Sequence, residues 1–196
     1  MWCWQEADIA AAGLSVLSER MRVVDFTYPF MDWHHAAIIM KRHSRRAGIR
    51  SLRDLARQTN ISYAVVDSGL TKNFFRTSTD PDYARMWTQM SRSLENFVPD
   101  TEDGVRRVRL SSDEHPWAFM ISSQILRYVT SRLGQTCDME VVEDVDAGGG
   151  YALALPLNSP YLDRLSLAVV MMRESGRMNA IRRQSWPECG STAHNL

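Results

Sequence analysis

The chain has 196 residues, of which 44% are hydrophobic and 23% are charged, and its formal net charge is zero. This balance argues against a general nucleic-acid binder or a protein attracted to anionic membranes. No apolar run approaches the roughly 20 residues that a membrane-spanning helix needs. The start "MWCWQEADIAAAG" also lacks the basic head of a secretory signal. We therefore expect an ordinary globular protein with neither a membrane span nor an export signal.

Strand-like and helical patterns alternate along most of the chain. In order, the first half reads as strands "ADIAAAGLSV", "MRVVDFTYPF" and "HHAAIIMK", helix "SLRDLARQ", strand "ISYAVV" and helices "LTKNFFRTS" and "DPDYARMWTQMSRS". The second half reads as helix "TEDGVRRVRL", strand "WAFMI", helix "SSQILRYVTSRLG", strands "MEVVEDV" and "YALALPL", and helices "SPYLDRLSLAVVMMRESG" and "RMNAIRRQSW". This alternation predicts an α/β fold with largely parallel strands. We expect the basic stretch 41–50 to be a solvated linker and "DAGGG" a flexible break between two strands.

The sequence lacks the common catalytic and cofactor motifs. It contains no P-loop, dinucleotide fingerprint, HExxH or CxxC, and its five histidines are not at zinc spacing. No nucleophile stands beside a base, and we therefore expect no enzyme activity, no cofactor and no metal.

The stretch "YAVVDSGLTKNFF" indicates an anion-binding turn. An apolar strand ends in Asp67-Ser68-Gly69, and a helix starts at once with Thr71 in its first turn. The first N–H groups of a helix have no partners within the helix, and the helix dipole makes that end electropositive. An anion such as a carboxylate can bind there. An ordinary capped helix also accounts for these residues, and the local sequence alone favours that simpler interpretation.

Several motifs in order resemble the ligand-binding region of ionotropic glutamate receptors. They include "ADIAAAGLSVLSERMRVVDFTYPFM", "SLRDLARQTNISYAVVDSGLTKNFF", "YARMWTQM", "DGVRRV", "WAFMI" and "GGYALALPLNSPY". The similarity runs from about Ala7 to Cys189 and covers the kainate, AMPA and delta branches of the family. Details such as "MDW" and "SPYLD" favour the kainate and delta branches. The similarity implies a bilobed clamp of the periplasmic-binding-protein type II, with an amino acid or similar carboxylate held between the lobes.

The resemblance implies which residues touch the ligand in the first lobe. Arg20 matches the Arg that holds the α-carboxylate, for which a bidentate guanidinium suits the planar anion better than Lys. Ser15 matches a Thr/Ser that touches both carboxylate and ammonium. Gly13 matches a Pro whose carbonyl accepts from the ammonium, and Tyr151 matches a Tyr that lines the pocket. Without the resemblance, Arg20 would be interpreted as a surface ion pair.

The resemblance also implies contacts at the anion-binding turn. Thr71 matches the residue that binds the distal carboxylate of glutamate. Leu70 matches a Ser whose backbone N–H meets the α-carboxylate, so that N–H is kept but the hydroxyl is lost.

Ser122 is the main departure from the family pattern. It stands where amino-acid-binding members have Glu or Asp, the counter-ion of the ligand ammonium. Burying an ammonium without this partner costs on the order of several kcal/mol. We therefore expect low glutamate affinity, and either a ligand without a free ammonium or no ligand at all.

The domain organisation implied by the resemblance has three parts. Residues 1–35 form part of lobe 1, residues 36–148 form lobe 2, and residues 149–196 return to lobe 1 and add C-terminal helices. Lobe 1 is expected to be incomplete, because the family's first lobe begins earlier. The segment 42–48 is expected to replace the pore helices, through an engineered fusion, a splice form or a gene prediction that skipped exons.

Two covalent features follow from the same resemblance. Spacing alone favours free thiols, but the family implies a disulfide between Cys137 and Cys189. "NIS" at Asn60 is an N-glycosylation sequon, which matters only in an exported chain.

The expected function is that of a sensor in a ligand-gated ion channel. The parent receptor would lie in the plasma membrane with this region on the extracellular face, in homo- or hetero-oligomers, without nucleic-acid partners. The alternatives are a soluble, non-channel solute-binding protein of the same fold and a fragment that binds nothing.

Overall fold

The structure is a computed structural model. It describes residues 7–132 and 138–186, except for the side chains of 131, 132 and 145–147. The strands are β1 Ala10–Ser15, β2 Asp25–Phe26, β3 Met31–Met40, β4 Ser62–Val66, β5 Phe97–Val98, β6 Trp117–Ser122 and β7 Met139–Leu155. The helices are α1 Lys41–Ala47, α2 Leu52–Ala56, α3 Gly69–Thr77, α4 Pro81–Met90, α5 Thr101–Leu110, α6 Ser123–Arg132, α7 Leu162–Glu174 and α8 Arg177–Ser185, with short 3-10 turns at Arg20–Arg22 and Leu94–Asn96.

The chain divides into two compact units. Among the described residues, unit 1 contains 7–33 and 148–186, and unit 2 contains 34–132 and 138–147. Strands β3 and β7 run through both units, because the boundaries at 33/34 and 147/148 fall within them.

Unit 2 is a sheet buried on both faces. β3 pairs with β6 in antiparallel register, while β4 lies parallel to both β6 and β5. Successive residues of β3 alternate between two clusters, with Ile39 packed on one face and Ile38 on the other. This double burial explains the unbroken apolar runs "AAIIM", "YAVV" and "WAFMI", since a strand covered on both sides has no polar face.

Helices cover the two faces of this sheet from opposite sides. α2, α3 and α4 contribute Leu55, Phe75 and Met86 to one cluster. α5 and α6 contribute Val105 and Leu126 to the other. The arrangement is the helix–sheet–helix layering of an α/β unit.

Unit 1 is held by antiparallel pairing and by α7. β1 and β2 both pair with the last residues of β7. Arg173 of α7 donates from Nη1 to the carbonyl of Pro29 at 2.8 Å and from Nη2 to the Asp32 carboxylate at 2.7 Å. The amide of Tyr28 donates to the Ser166 hydroxyl at 3.2 Å. These bonds fix α7 against the segment that leads into β3.

The prediction of largely parallel strands was wrong for three of five pairings between described strands. The β4–β5 and β4–β6 pairs are parallel, whereas the β3–β6, β1–β7 and β2–β7 pairs are antiparallel. Alternation of strands and helices indicates α/β layering, but it does not show which strands become neighbours.

The glycines of "DAGGG" are not a break between two strands, because β7 is continuous from Met139 to Leu155. A Cβ added to Gly149 would lie 3.0 Å from the Trp33 ring, and one added to Gly150 would lie 2.5 Å from Pro29. These two glycines permit close packing rather than flexibility.

The basic stretch expected to be a solvated linker is helix α1, which ends at Gly48 with φ of 67°. His43 and Ser44 are buried in it. Ser44 Oγ donates to the carbonyl of Ile49 at 2.9 Å, and His43 Nε2 lies 3.0 Å from Asp113 Oδ1. Both polar side chains thus have partners within unit 2. The arginines of the same helix, Arg42, Arg45 and Arg46, are exposed.

Candidate functional site

Three of the predicted ligand contacts lie together in unit 1. Ser15 ends β1 and is the register partner of Tyr151 in β7. Arg20 opens the following 3-10 turn, and its Nη1 donates to the carbonyl of Ser15 at 3.0 Å. The turn is fixed by bonds from the amides of Arg20 and Met21 to the carbonyl of Leu17, both at 2.9 Å. The backbone therefore holds the Arg20 guanidinium at Ser15, and Ser15 in turn pairs with Tyr151.

The Arg20 side chain is exposed and has no carboxylate partner among the described residues. A guanidinium has five N–H donors, and the bond to Ser15 uses one of them. The Ser15 side chain is 8% exposed, and its hydroxyl makes no bond in the described part of the chain. The interpretation of Arg20 as a surface ion pair therefore does not hold for the residues that the structure describes.

Gly13 and Tyr151 complete the unit 1 contacts predicted from the resemblance. Gly13 is exposed within β1, and a Cβ added there would meet nothing within 4 Å. The Tyr151 ring is half-buried, with its centroid 6.0 Å from that of Trp33. Close packing thus does not require glycine at position 13, and Trp33 supports the Tyr151 ring.

The remaining predicted contacts lie at one edge of the unit 2 sheet. β4 and β6 run parallel, so their carboxyl ends meet at the same edge. Ser122 is the last residue of β6, and Gly69–Thr77 forms the helix that follows β4. Helix α6 begins directly after Ser122, and α5 follows β5. Several helix N-termini therefore face this edge, which is the usual ligand-binding edge of parallel α/β sheets.

The start of α3 lacks the side-chain caps of its neighbours. Ser51, Asp80 and Asp100 accept bonds from the first amides of α2, α4 and α5. Ser68 is in the N-cap position of α3, but its side chain accepts no such bond. The first N–H groups of α3 are therefore not used by a side-chain cap, as an anion site requires.

Gly69 allows the chain to enter this helix. Its φ of 88° lies in the left-handed region that only glycine adopts without cost, and no atom would contact an added Cβ. Thr71 follows in the first turn and is buried, with 8% of the residue exposed, and its hydroxyl has no hydrogen bond among the described residues. Leu70 between them is half-buried.

The sequence interpretation overlooked His35, which is beside Ser122. The two residues are register partners in the β3–β6 pair, so their side chains share one face of the sheet. The His35 ring stacks on Phe74 of α3 with centroids 3.7 Å apart. Burial, with a smaller contribution from neighbouring His34, lowers the pKa of His35 to about 4. His35 thus connects the end of β6 to α3 and stays neutral at physiological pH.

A signal for His35 was present in the sequence. Strand alternation gives His35 the same face as Ala37 and Ile39, and both belong to the core cluster beneath α3. The histidine spacing argues only against a zinc site, and it does not exclude the burial of one member of the adjacent pair His34 and His35.

The described residues contain neither a metal-binding cluster nor a membrane-spanning helix. No group of three His, Cys, Asp or Glu that could hold a metal ion occurs in them. None of the described helices is both long and apolar enough to cross a bilayer. Cys137 and Cys189 lie outside the described residues, and Asn60 is exposed in the loop before β4.

Comparison with known proteins identifies the family. Over 148 residues the chain is 38% identical to glutamate receptor 3 of Homo sapiens and of Rattus norvegicus, which covers 73% of this chain. Its fold matches a solved structure, Drosophila muscle GluRIIB in complex with glutamate, with a TM-score of 0.74 and 28% identity over 93% of this chain and 69% of that one. The chain belongs to the ionotropic glutamate receptor family. It corresponds to the ligand-binding region and has the type II clamp fold of that region.

The match has defined limits. The chain spans 16% of the length of the two curated relatives. A search of family models finds no match. The relatives are receptors by name, not enzymes.

Proposed function

We propose that this chain is the ligand-sensing region of an ionotropic glutamate receptor-like channel and that it binds a small carboxylate. The observation that carries the proposal is the group formed by Arg20, Ser15 and Tyr151 in unit 1. An exposed guanidinium without a carboxylate partner in the described residues, fixed by its bond to the Ser15 carbonyl, has donors left for a planar anion. Tyr151, the strand partner of Ser15, offers an aromatic ring next to that serine.

In unit 2 the donors are backbone amides. The N–H groups of Leu70 and Thr71 at the start of α3 are the proposed contacts, together with the Thr71 hydroxyl. Because the Leu70 contact uses only the main chain, the loss of a hydroxyl at this position does not remove it.

Ser122 decides which carboxylates bind. A serine cannot neutralise a ligand ammonium, and the adjacent His35 is neutral rather than acidic because burial lowers its pKa to about 4. We propose that the natural ligand lacks a free ammonium. Ammonium-bearing ligands bind poorly, because their charge would be desolvated without a partner.

Calorimetric titration with glutamate and glutarate tests this proposal, since the two molecules differ by the ammonium group. Glycine and D-serine extend the series. Little heat is expected from the three amino acids, and glutarate is expected to bind more tightly than glutamate. Ser122→Glu should reverse that order, with Ser122→Ala as the matched control that adds no charge. Strong glutamate binding by the unaltered chain would contradict the Ser122 argument.

A double-mutant cycle tests whether both units contact the same ligand. Arg20→Lys and Thr71→Val each remove one proposed contact and leave the backbone in place. Coupled losses indicate one shared ligand, whereas additive losses indicate independent effects. If neither variant changes the affinity for any carboxylate, the proposed contacts are wrong.

The parent receptor is proposed to lie in the plasma membrane with this region outside the cell, in an oligomer of receptor subunits, and to have no enzyme activity. Similarity to receptors over the described fold supports this proposal. Sequencing transcripts across Lys41–Ile49 tests it, because a pore-coding insertion in the region of α1 is expected in the channel form. Its absence from all transcripts would favour a non-channel binding protein of the same fold.

A further inference from the structure

We propose that Asn60 carries an N-linked glycan. The sequence contains one Asn-X-Ser/Thr sequon with X other than proline, Asn60-Ile61-Ser62. Asn60 is exposed in the loop between α2 and β4, and its side chain has no hydrogen bond among the described residues. The inference rests on the proposed function, because only a chain that enters the secretory pathway meets the glycosylating enzyme.

The residues that follow Asn60 are fixed in the body of unit 2. Ile61 is 2% exposed, and its carbonyl accepts a bond from Gln89 Nε2 at 2.9 Å. The amide of Ser62 donates to the carbonyl of Pro116, also at 2.9 Å. Asn60 is thus the last exposed residue before the chain enters the sheet. A sugar on its side chain needs no rearrangement of the core.

The glycan would sit at the opposite end of β4 from the proposed anion site. Asn60 precedes the first residue of β4, whereas Ser68 and Gly69 follow its last residue. The five residues of β4 alone separate the two ends by roughly 13 Å, at about 3.3 Å per residue. We therefore expect the glycan to leave ligand binding unchanged and to keep the Asn60 edge of unit 2 in contact with solvent.

The covalent step is a glycosyl transfer. The amide Nδ2 of Asn60 forms a bond to the anomeric carbon of an oligosaccharide carried on a lipid pyrophosphate. The carbon–oxygen bond to the pyrophosphate breaks, the lipid pyrophosphate leaves, and the amide nitrogen loses one proton. The lipid-linked oligosaccharide and its transferase belong to the secretory pathway, and Ser62 completes the recognised sequon.

The test is expression of the full chain behind a cleavable secretory leader in cultured animal cells. The expected product shows one mobility step on removal of N-glycans with peptide N-glycosidase. Mass spectrometry should locate the resulting Asn-to-Asp conversion at position 60. Asn60→Gln and Ser62→Ala should abolish the step, whereas Ser62→Thr, which keeps the sequon, should retain it. Secreted chain without the step, or a step that survives Asn60→Gln, would overturn the proposal.

The same samples separate this inference from the function on which it rests. Titration of glycosidase-treated and untreated chain with glutarate should give the same affinity. A glycan at Asn60 with no binding of any carboxylate contradicts the proposed ligand but supports the modification. Loss of binding only in the glycosylated sample contradicts the proposed separation of the glycan from the ligand contacts.

Discussion

The anion contacts proposed for unit 1 and unit 2 are different kinds of donor. In unit 1 the donor is a side chain, the guanidinium of Arg20, which a 3-10 turn and the Ser15 carbonyl hold in position. In unit 2 the donors are main-chain amides at the start of α3, where Ser68 provides no side-chain cap. One group depends on residue identity, while the other depends on backbone conformation.

This difference indicates how each unit tolerates sequence change. A substitution at Arg20 removes the charge itself. A substitution at Leu70 leaves the amide intact, and leucine can therefore stand where the family resemblance implies a serine. In unit 2 the sensitive positions are those that set the backbone or the position of α3, such as Gly69 and His35.

Acidification should lower the free energy of unfolding of unit 2, and this is the largest of the expected effects. The pKa of His35 is lowered to about 4 in the folded chain from 6.5, so the unfolded chain binds the extra proton first. The contribution of neutral His35 to the free energy of unfolding is therefore fully present above pH 6.5. It is lost as the pH drops toward 4, and the loss is on the order of 3 kcal/mol. Urea unfolding between pH 7 and pH 4 measures this loss, and hydrogen exchange locates it in unit 2.

His35→Phe is the matched variant for that experiment, because it keeps a ring on Phe74 but cannot be protonated. The free energy of unfolding of this variant should change little between pH 7 and pH 4. An unchanged pH slope in His35→Phe would assign the acid sensitivity to another group. The pKa values of Asp54, Asp80 and Asp113 are lowered below 3.8, so their contributions are lost at lower pH.

Arg20→Ala should give the largest effect on ligand binding. The charged hydrogen bonds it removes correspond to an affinity loss of about tenfold to a hundredfold. Titration of glutarate measures the loss. Arg22→Ala is the control, since Arg22 is an exposed cation in the same 3-10 turn. Equal losses in the two variants would mean that general positive charge, and not the geometry of Arg20, attracts the anion.

Gly69→Ala should lower the stability of unit 2 and weaken the helix start. At a φ of 88° a residue with a Cβ costs about 1–2 kcal/mol. Thermal unfolding measures the change. Gly13→Ala in unit 1 is the matched control, because its φ is not positive and the added Cβ has open space. It should change stability by less than about 0.5 kcal/mol. Similar losses at both glycines would contradict the backbone argument.

Leu70→Ala should have the smallest effect on ligand affinity, about twofold or less, because the proposed contact is a main-chain N–H. Titration beside Thr71→Val gives the comparison within the same helical turn. A large loss in Leu70→Ala, with Thr71→Val unaffected, would show that side chains and not amides make the unit 2 contact.

The sequence predicted the interior of unit 2 well, because burial on both faces leaves a clear apolar pattern. "ISYAVV" and "WAFMI" correspond to β4 and β6, and "TEDGVRRVRL" corresponds to α5, in which Val105 and Val108 are buried. The sequence-based prediction was wrong where polar or small residues are buried. α1 hides His43 and Ser44 within a basic stretch, and Gly149 and Gly150 look flexible in sequence but are packed under Trp33 and Pro29.

The candidate site was predicted only through the resemblance. Composition and periodicity indicated a possible anion site at Ser68–Thr71, but no local pattern distinguishes Arg20 from the other arginines of the chain. His35 was missed because its relation to Ser122 is a cross-strand pairing between residues 87 positions apart. Such pairings follow from sheet register, which single-strand patterns do not specify.

By itself the sequence determined the α/β class, the helix and strand identities of unit 2 and, through its ordered motifs, the receptor family. These depend on periodicity and residue type, which act locally along the chain. Tertiary structure alone decided that Ser15 bonds to Arg20 and pairs with Tyr151, that Ser68 leaves α3 without a side-chain cap, and that His35 pairs with β6 while its ring stacks on α3. These facts depend on the pairing of distant strands, where burial and hydrogen bonding are settled among residues that are far apart in sequence.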